Sequence, residues 1–239
     1  MSQKKLISII VNCHNGQKYL EGCINSILEQ TYKNWELVFF DNFSTDKSKK
    51  ILKNYTDKRI KYFKSKKYLT LYKARNIAIK KAKGKYIAFL DTDDWWYKTK
   101  LEEQIKFLKK NKKYQIVYTN FYSYFQNINK FKKRYSSLPS GLITQKLLNN
   151  YSVGILTVLL EKKFFKKFVF NEKYNIVGDF DFFINLSRYY NIGSIDKPLA
   201  FYRIHKSNLS IKKIDLYYNE LKNWLNFNEK KFLKEKFKL

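Results

Sequence analysis

Cysteine is nearly absent from this 239-residue chain, which holds only Cys13 and Cys23. Two thiols, one near the end of a predicted strand and one on the following helix, build no disulfide framework, so a reducing, cytoplasmic compartment is expected. Long apolar runs are missing too. Residues 6–11 are too short for the core of a signal peptide, and residues 153–160 fall far below the roughly 20 apolar residues of a spanning helix, which leaves at most peripheral contact with the inner face of a cell membrane. Glycine is scarce, and the first turn holds Gly16 alone. A nicotinamide-binding dehydrogenase needs a glycine-rich phosphate turn at that point, so that class is excluded. Arginine is the last shortage, at five of the 49 basic residues. The guanidinium is the usual two-pronged reader of guanine and phosphate, and a nucleic-acid-binding protein would lack it here.

What is present is lysine and aromatic side chains. Lys and Arg outnumber Asp and Glu by 49 to 20, a formal charge of +29. Such a charge fits a polyanionic partner, whether nucleic acid, an anionic membrane face or phosphorylated substrates, and equally fits a coding bias that also enriches Asn, Ile, Tyr and Phe. Hydrophobic residues make up 44% and aromatics 18%, which calls for a globular chain with a core rich in Phe and Tyr.

Apolar and amphipathic segments alternate along the first half. Residues 6–11 read as a fully buried strand, 35–40 as a second apolar strand, and 60–63 and 86–90 as a third and fourth strand; 19–30, a stretch ending near 55, and 71–82 read as helices. This alternation predicts a mostly parallel, helix-flanked sheet. A helix over 98–110, a strand over 115–118, a short helix over 142–149, a buried strand over 153–160, a helical turn over 162–167, a helix over 179–189 and a strand-like stretch over 199–202 follow. Residues 120–135 are aromatic and basic with poor periodicity, and predict irregular strands or a mobile loop. From residue 211 a cationic amphipathic tail begins, suited either to an anionic leaflet or to packing on the domain or a partner.

The densest signal is residues 84–96, where an apolar strand ends in Asp91, Asp93 and Asp94 and then Trp95 and Trp96. Carboxylates one residue apart at a strand end can share a hard divalent cation, and such a cation holds a diphosphate. In parallel sheets ligands gather beyond the carboxyl ends of the strands, and here those ends carry Asn12 to Asn15, Asp41 with Asn42, and Asp91 to Asp94. An acidic rim repels a phosphate backbone, so nucleic acid is not the expected partner. A phosphatase that uses an Asp-x-Asp pair would place its acids after the first strand.

These blocks, together with Ser26-Ile-Leu-Glu-Gln-Thr31-Tyr32, Ala74-Arg75-Asn76, Gly178-Asp179 and Tyr202-Arg203-Ile-His205, resemble a family-two glycosyltransferase of the GT-A fold over most of residues 6 to about 210. The resemblance implies an α/β chain of Rossmann-like, mostly parallel sheet: a nucleotide-sugar-binding half over 1–118, an acceptor-binding half over 119–210, and a helical tail over 211–239. It implies that Asp41 and Asn42 contact the nucleotide base, that Asn12 and Asn15 line the same nucleotide-sugar site, and that Arg75 lies near the diphosphate. It further implies that Asp91 and Asp93 are the DxD pair, with Mn²⁺ or Mg²⁺ held by Asp93 and by His205. Asp179 is the implied base of an inverting transfer, with Asp181 as the alternative; many members of the family carry Glu-Asp where this chain has Gly178-Asp179, and Asn42 stands where a second Asp is common. The expected partners are a UDP-linked donor and a hydroxyl of a polysaccharide or lipid-linked glycan. Trp95 and Trp96 fit either a sugar face or the core.

Overall fold

The structure, a computed structural model, describes residues 5–239. Residues 1–4, which open the expected 1–118 half, lie outside the described residues. The first half alternates as β1 (Ile7–Cys13), α1 (Leu20–Leu28), β2 (Trp35–Asp41), α2 (Ser48–Lys53), β3 (Ile60–Lys64), α3 (Leu71–Lys81) and β4 (Tyr86–Phe89). These strands pair in parallel in the order β3-β2-β1-β4. Every residue of β2 is buried, as a strand covered by helices on both faces must be, and this is why its sequence is mainly apolar, with Glu36 and Asp41 as its buried charged members. Gly84 allows the closest approach in this half. A Cβ there would lie 2.6 Å from the Ser8 backbone nitrogen, and the Gly84 N–H donates to Ser8 Oγ at 2.7 Å while Ser8 Oγ donates to the buried Glu36 carboxylate at 2.6 Å.

The second half adds β5 (Trp95–Trp96), α4 (Lys100–Lys110), β6 (Ile116–Phe125), β7 (Lys130–Lys133), α5 (Thr144–Asn149), β8 (Leu159–Glu161), α6 (Gly178–Ser187), β9 (Gly193–Ile204), α7 (Leu209–Lys212) and α8 (Ile214–Lys234). The sheet continues from β4 as β8-β6-β9-β5, with β7 paired to β6. β8 runs antiparallel to both of its neighbours, so the sheet is mixed.

Of the two readings of residues 120–135, irregular strands is the one found: β6 extends to Phe125 and turns into a hairpin with β7. Its periodicity is poor because the pairing with β9 shifts register on both sides of Asn120, which resets the inward-outward alternation. Residues 153–160 are no single strand. A 3₁₀ turn at Ile155–Thr157 interrupts them, tied by the Thr157 N–H and hydroxyl, both of which donate to Gly154 O, and only the last two residues of that stretch enter β8.

Hydrophobic cores form on the two sides of the sheet, one beneath α3, α5 and α6 and the other beneath α1 and α4. The tail joins the first of them. Trp224 and Phe232 of α8 are fully buried, each removing enough apolar surface to contribute about 1.5–3 kcal/mol. Its other face shows Tyr218, Leu225 and Phe227 to solvent. Cys13 and Cys23 are buried free thiols. No helix among the described residues is long and apolar enough to cross a membrane.

Candidate active site

The carboxyl ends of β1, β2 and β4 meet on one rim. β1 ends beside β2, where the Asn42 N–H donates to Cys13 O at 2.7 Å. Asn15 takes a positive φ of 55°, and its side-chain oxygen accepts from the N–H groups of Thr45 and Asp46 at 2.9 and 3.3 Å, so it ties the first loop to the second. Asp41 is buried, accepting from the Ser44 N–H at 2.7 Å and from the Tyr62 hydroxyl at 2.7 Å. Asn42 is spent on the backbone: its amide donates to Leu69 O at 2.8 Å and accepts from Leu69 N–H at 3.0 Å, closing the loop before α3. Asn12 differs. Its buried side-chain Nδ2 has no hydrogen-bond partner, and a buried donor left unmade is costly unless something arrives to accept from it.

Four residues assemble around the end of β4. Arg75, on the buried face of α3, donates from Nη2 to Asp91 Oδ1 at 2.9 Å. Its guanidinium lies 5.5–5.7 Å from the rings of Tyr72, Phe89 and Phe170, an aromatic collar that fixes its direction. Asp93 Oδ2 accepts from His205 Nε2 at 3.0 Å and, more weakly, from Asn208 Nδ2 at 3.4 Å. Burial and the neighbouring Asp91 charge raise the Asp93 carboxyl above the ordinary aspartate value, against the His205 hydrogen bond, which lowers it. Asp94 is not part of the opening. It is buried and accepts from the Arg203 N–H at 2.8 Å, while Arg203 Nε donates to Asp93 O at 2.8 Å, so β9 grips the acidic loop twice.

Among the described residues no three His, Cys, Asp or Glu side chains converge as a ready-made metal cage. A donor set of one carboxylate and one imidazole still fits a divalent cation that takes its remaining oxygens from phosphate and water. His205 has a condition attached. The Ser207 N–H donates to His205 Nδ1 at 3.1 Å, which favours the Nε2–H tautomer, so ligation through Nε2 requires the proton to move and that hydrogen bond to open.

Asp179 opens α6. Its Oδ1 accepts from the Phe180 N–H at 2.9 Å and from the Tyr72 hydroxyl at 3.3 Å. Burial raises its carboxyl above the ordinary value; Arg75 pulls it down, and Asp91 adds to the rise. Asp179, Arg75 and Asp91 therefore share one electrostatic site. Asp181 faces elsewhere, because two residues along a helix turn a side chain through about 200°. Its Oδ1 accepts from Trp224 Nε1 at 2.8 Å and from Asn185 Nδ2 at 2.9 Å, within a separate cavity of about 640 Å³ on the α8 side. A second cavity of about 520 Å³ opens beside Asp179 and is walled mainly by apolar side chains, among them Leu147, Leu148, Leu221 and Leu225. Trp96 is core, donating from Nε1 to Leu156 O at 2.8 Å, whereas Trp95 lies on an outer face.

Sequence reasoning passed over Tyr72, Asn208 and Glu220. Tyr72 alone left a signal, since it sits three residues before Arg75 on the same helix face. The Glu220 carboxylate accepts from the N–H groups of Asn175, Ile176 and Val177 at 2.6, 2.9 and 3.1 Å, immediately before α6.

Against this geometry stand the comparisons. The profile described as "Glycosyl transferase family 2" matches residues 8–191. The chain is 33% identical over 212 residues to the Escherichia coli UDP-Glc:alpha-D-GlcNAc-diphosphoundecaprenol beta-1,3-glucosyltransferase WfgD, covering 87% of this chain and 81% of that protein. It is 33% identical over 162 residues to the putative teichuronic acid biosynthesis glycosyltransferase TuaG of Bacillus subtilis, covering 67% of this chain and 64% of TuaG. The crystal structure of S. aureus TarS 1-349 in complex with UDP superposes with a TM-score of 0.70 at 21% identity, over 84% of this chain and 61% of that one. That likeness shows the fold, and the chain spans less than two thirds of the TarS segment.

Proposed function

The chain belongs to glycosyl transferase family 2 and is a glycosyltransferase, and from that premise we propose an inverting, metal-dependent transfer from a nucleotide-diphosphate sugar to a glycan hydroxyl. The observation that carries the reading is the chain of contacts through Tyr72, whose hydroxyl lies 3.3 Å from Asp179 and whose ring lies 5.5 Å from the Arg75 guanidinium that binds Asp91. The donor proposed is UDP-linked, as the names of WfgD and the TarS complex suggest for those proteins. The acceptor proposed is a lipid-linked or polysaccharide precursor, and the apolar cavity beside Asp179 supports an amphiphilic one.

In this reading the uridine diphosphate lies over the ends of β1 and β2, where the unpartnered Asn12 amide awaits an acceptor atom and Asp41 and Asn15 hold the loops in shape. Asn42 acts through Leu69, fixing the loop rather than reading the base. Arg75 holds Asp91 in place and offsets the negative charge that a diphosphate brings. Asp179 takes the proton from the acceptor hydroxyl as that oxygen attacks the anomeric carbon opposite the diphosphate, so configuration inverts. Positioned bases of this kind contribute ~10²–10⁴ in rate. Asp93 and His205 would hold Mn²⁺ or Mg²⁺, which when bound supplies Lewis-acid stabilisation to the departing nucleoside diphosphate.

Peripheral docking of the basic outer face of α8 on an anionic inner leaflet belongs to the same proposal. Cytoplasmic placement goes with it.

The test is release of nucleoside diphosphate from a panel of nucleotide sugars with Mn²⁺, comparing the parent chain with Asp93→Ala and Asp179→Ala. Loss in both variants supports the assignment. Turnover equal to the parent in both would show that the site lies elsewhere.

A further inference from the structure

On the neighbouring strands β5, β9, β6 and β7, the rings of Trp95, Tyr122, Tyr124, Phe131 and Phe201 stand outside both hydrophobic cores. Their strands explain why they share one face. Trp95 of β5 pairs with Phe201 of β9, Phe201 with Tyr122 of β6, and Tyr124 of β6 with Phe131 of β7, so all five project to the same side of the sheet. Trp96, Phe121, Ala200 and Tyr202, the residues between them, face inward to the core beneath α1 and α4.

The outer rings lock one another. Trp95 stacks on Phe201 with centroids 4.9 Å apart and planes 4° apart, Phe201 on Tyr122 at 5.6 Å and 22°, and Tyr124 on Phe131 at 4.6 Å and 25°. Phe131 is 53% exposed. Phe131 meets Trp95 at 84° and Phe201 at 80°, so the surface is a preformed aromatic corner of two stacks, and it is continuous with the acidic loop. The Arg203 guanidinium lies 4.6 Å from the Trp95 ring and 5.3 Å from the Tyr124 ring, while its Nε holds Asp93 O. Trp95 itself directly follows Asp94.

We propose that this face of β5, β9, β6 and β7 is a saccharide subsite that holds non-reacting pyranose units of the glycan acceptor. The proposal rests on the transfer reading above and names where the acceptor chain runs. A pyranose ring presents a C–H face bordered by hydroxyls, and a fixed aromatic surface rimmed by the Tyr122 and Tyr124 phenols and by Lys133, which pairs with Tyr122, matches both parts. Rigid rings also spare the ordering cost that mobile side chains impose on a ligand. A bilayer contact calls for protruding side chains, whereas four of these five rings are half-buried against each other.

Intrinsic fluorescence isolates the surface, because Trp35, Trp96 and Trp224 are buried and Trp95 is the half-exposed indole. Acrylamide quenching of the intact chain is measured with laminarihexaose, chitohexaose and hyaluronan hexasaccharide, at millimolar concentration, in the parent and in Tyr124→Ser/Phe131→Ser. Neither substituted residue belongs to a core, and Phe131→Ser alone serves if the double variant melts early. At least one hexasaccharide is expected to protect Trp95, and the double variant to weaken that protection about tenfold, the scale of one or two lost ring contacts. Donor hydrolysis is expected to stay at the parent rate.

Protection by none of the three, or protection that survives in the variant, overturns the proposal. So does a variant whose only loss is self-association in sedimentation or flotation with anionic vesicles, which would name a second copy or a membrane as the occupant. Absent donor turnover with intact protection would instead remove the transfer reading and leave the subsite standing.

Discussion

Glu220 on the C-terminal helix accepts a hydrogen bond from the Val177 N–H at 3.1 Å, at the position that caps the helix of Asp179. With the Asn175 and Ile176 amides bound to the same carboxylate, α8 orients the start of α6 and hence the base. Glu220→Ala leaves three N–H groups without their acceptor, and hydrogen bonds to a charged partner contribute about 1.5–3 kcal/mol. Chemical denaturation is expected to show a loss of about 3 kcal/mol, and donor turnover to fall with it. Unchanged stability would mean that water replaces the carboxylate without cost.

The first half of this architecture was legible in the sequence because parallel strands buried on both faces are mainly apolar, as in β1 and β2, where few polar residues interrupt the run. The second half resisted for a physical reason. The register shift around Asn120 erases the alternation that marks β6, and an apolar run cannot reveal the 3₁₀ turn that cuts through residues 155–157. In the site, acids at strand ends were visible as a local pattern. Their partners were not: Tyr72 reaches Asp179 from 107 positions away and Asn208 reaches Asp93 from 115, and no spacing rule spans such distances. The tail read as a cationic amphipathic helix, and the burial of Trp224 and Phe232 became plain only once α6 and α8 were side by side.

Gly178 has no room for a side chain, and Tyr72 accounts for it. A Cβ at residue 178 would lie 2.5 Å from Tyr72 Cε2, while that tyrosine donates to Ile176 O at 2.6 Å and to Asp179. Gly178→Ala is expected to cost about 1–3 kcal/mol through overpacking. In a Tyr72→Leu background the same change should cost less, with a coupling of about 0.5–3 kcal/mol in a double-mutant cycle. Additive effects would show that the two residues do not compete for the space.

Asp179 must be ionised to act as a base, and its burial raises its carboxyl above the ordinary aspartate value. The acid limb of the transfer rate is therefore expected at higher pH than an exposed aspartate would give. Its stability linkage runs opposite to that of a salt-bridged acid: the native state binds this proton more tightly than the unfolded one, so the group favours folding as pH falls through its native value and opposes it at neutral pH. Asp179→Asn keeps an oxygen for Tyr72 and Phe180, and is expected to raise the melting temperature at pH 7 while lowering transfer by ~10²–10⁴. A variant that is less stable at neutral pH would contradict the electrostatic account.

Lys100 supplies a pH test remote from the chemistry. Its side chain is fully buried, with Nζ 4.1 Å from the Trp96 ring and donating to Gln104 Oε1 at 2.8 Å. Burial depresses its pKa well below the ordinary lysine value. The unfolded chain then holds this proton over a window in which the native chain has released it, so stability rises with pH from the native value up to the unfolded one. Loss of net positive charge also stabilises the fold as pH rises, through relief of self-repulsion, and it acts on parent and variant alike. Lys100→Met removes only the first effect. Subtracting the unfolding free energies of Lys100→Met from those of the parent, measured in urea at a series of alkaline pH values, should give a difference that climbs through that window and levels off near the ordinary lysine pKa. A flat difference would mean that Lys100 keeps its proton in the folded protein.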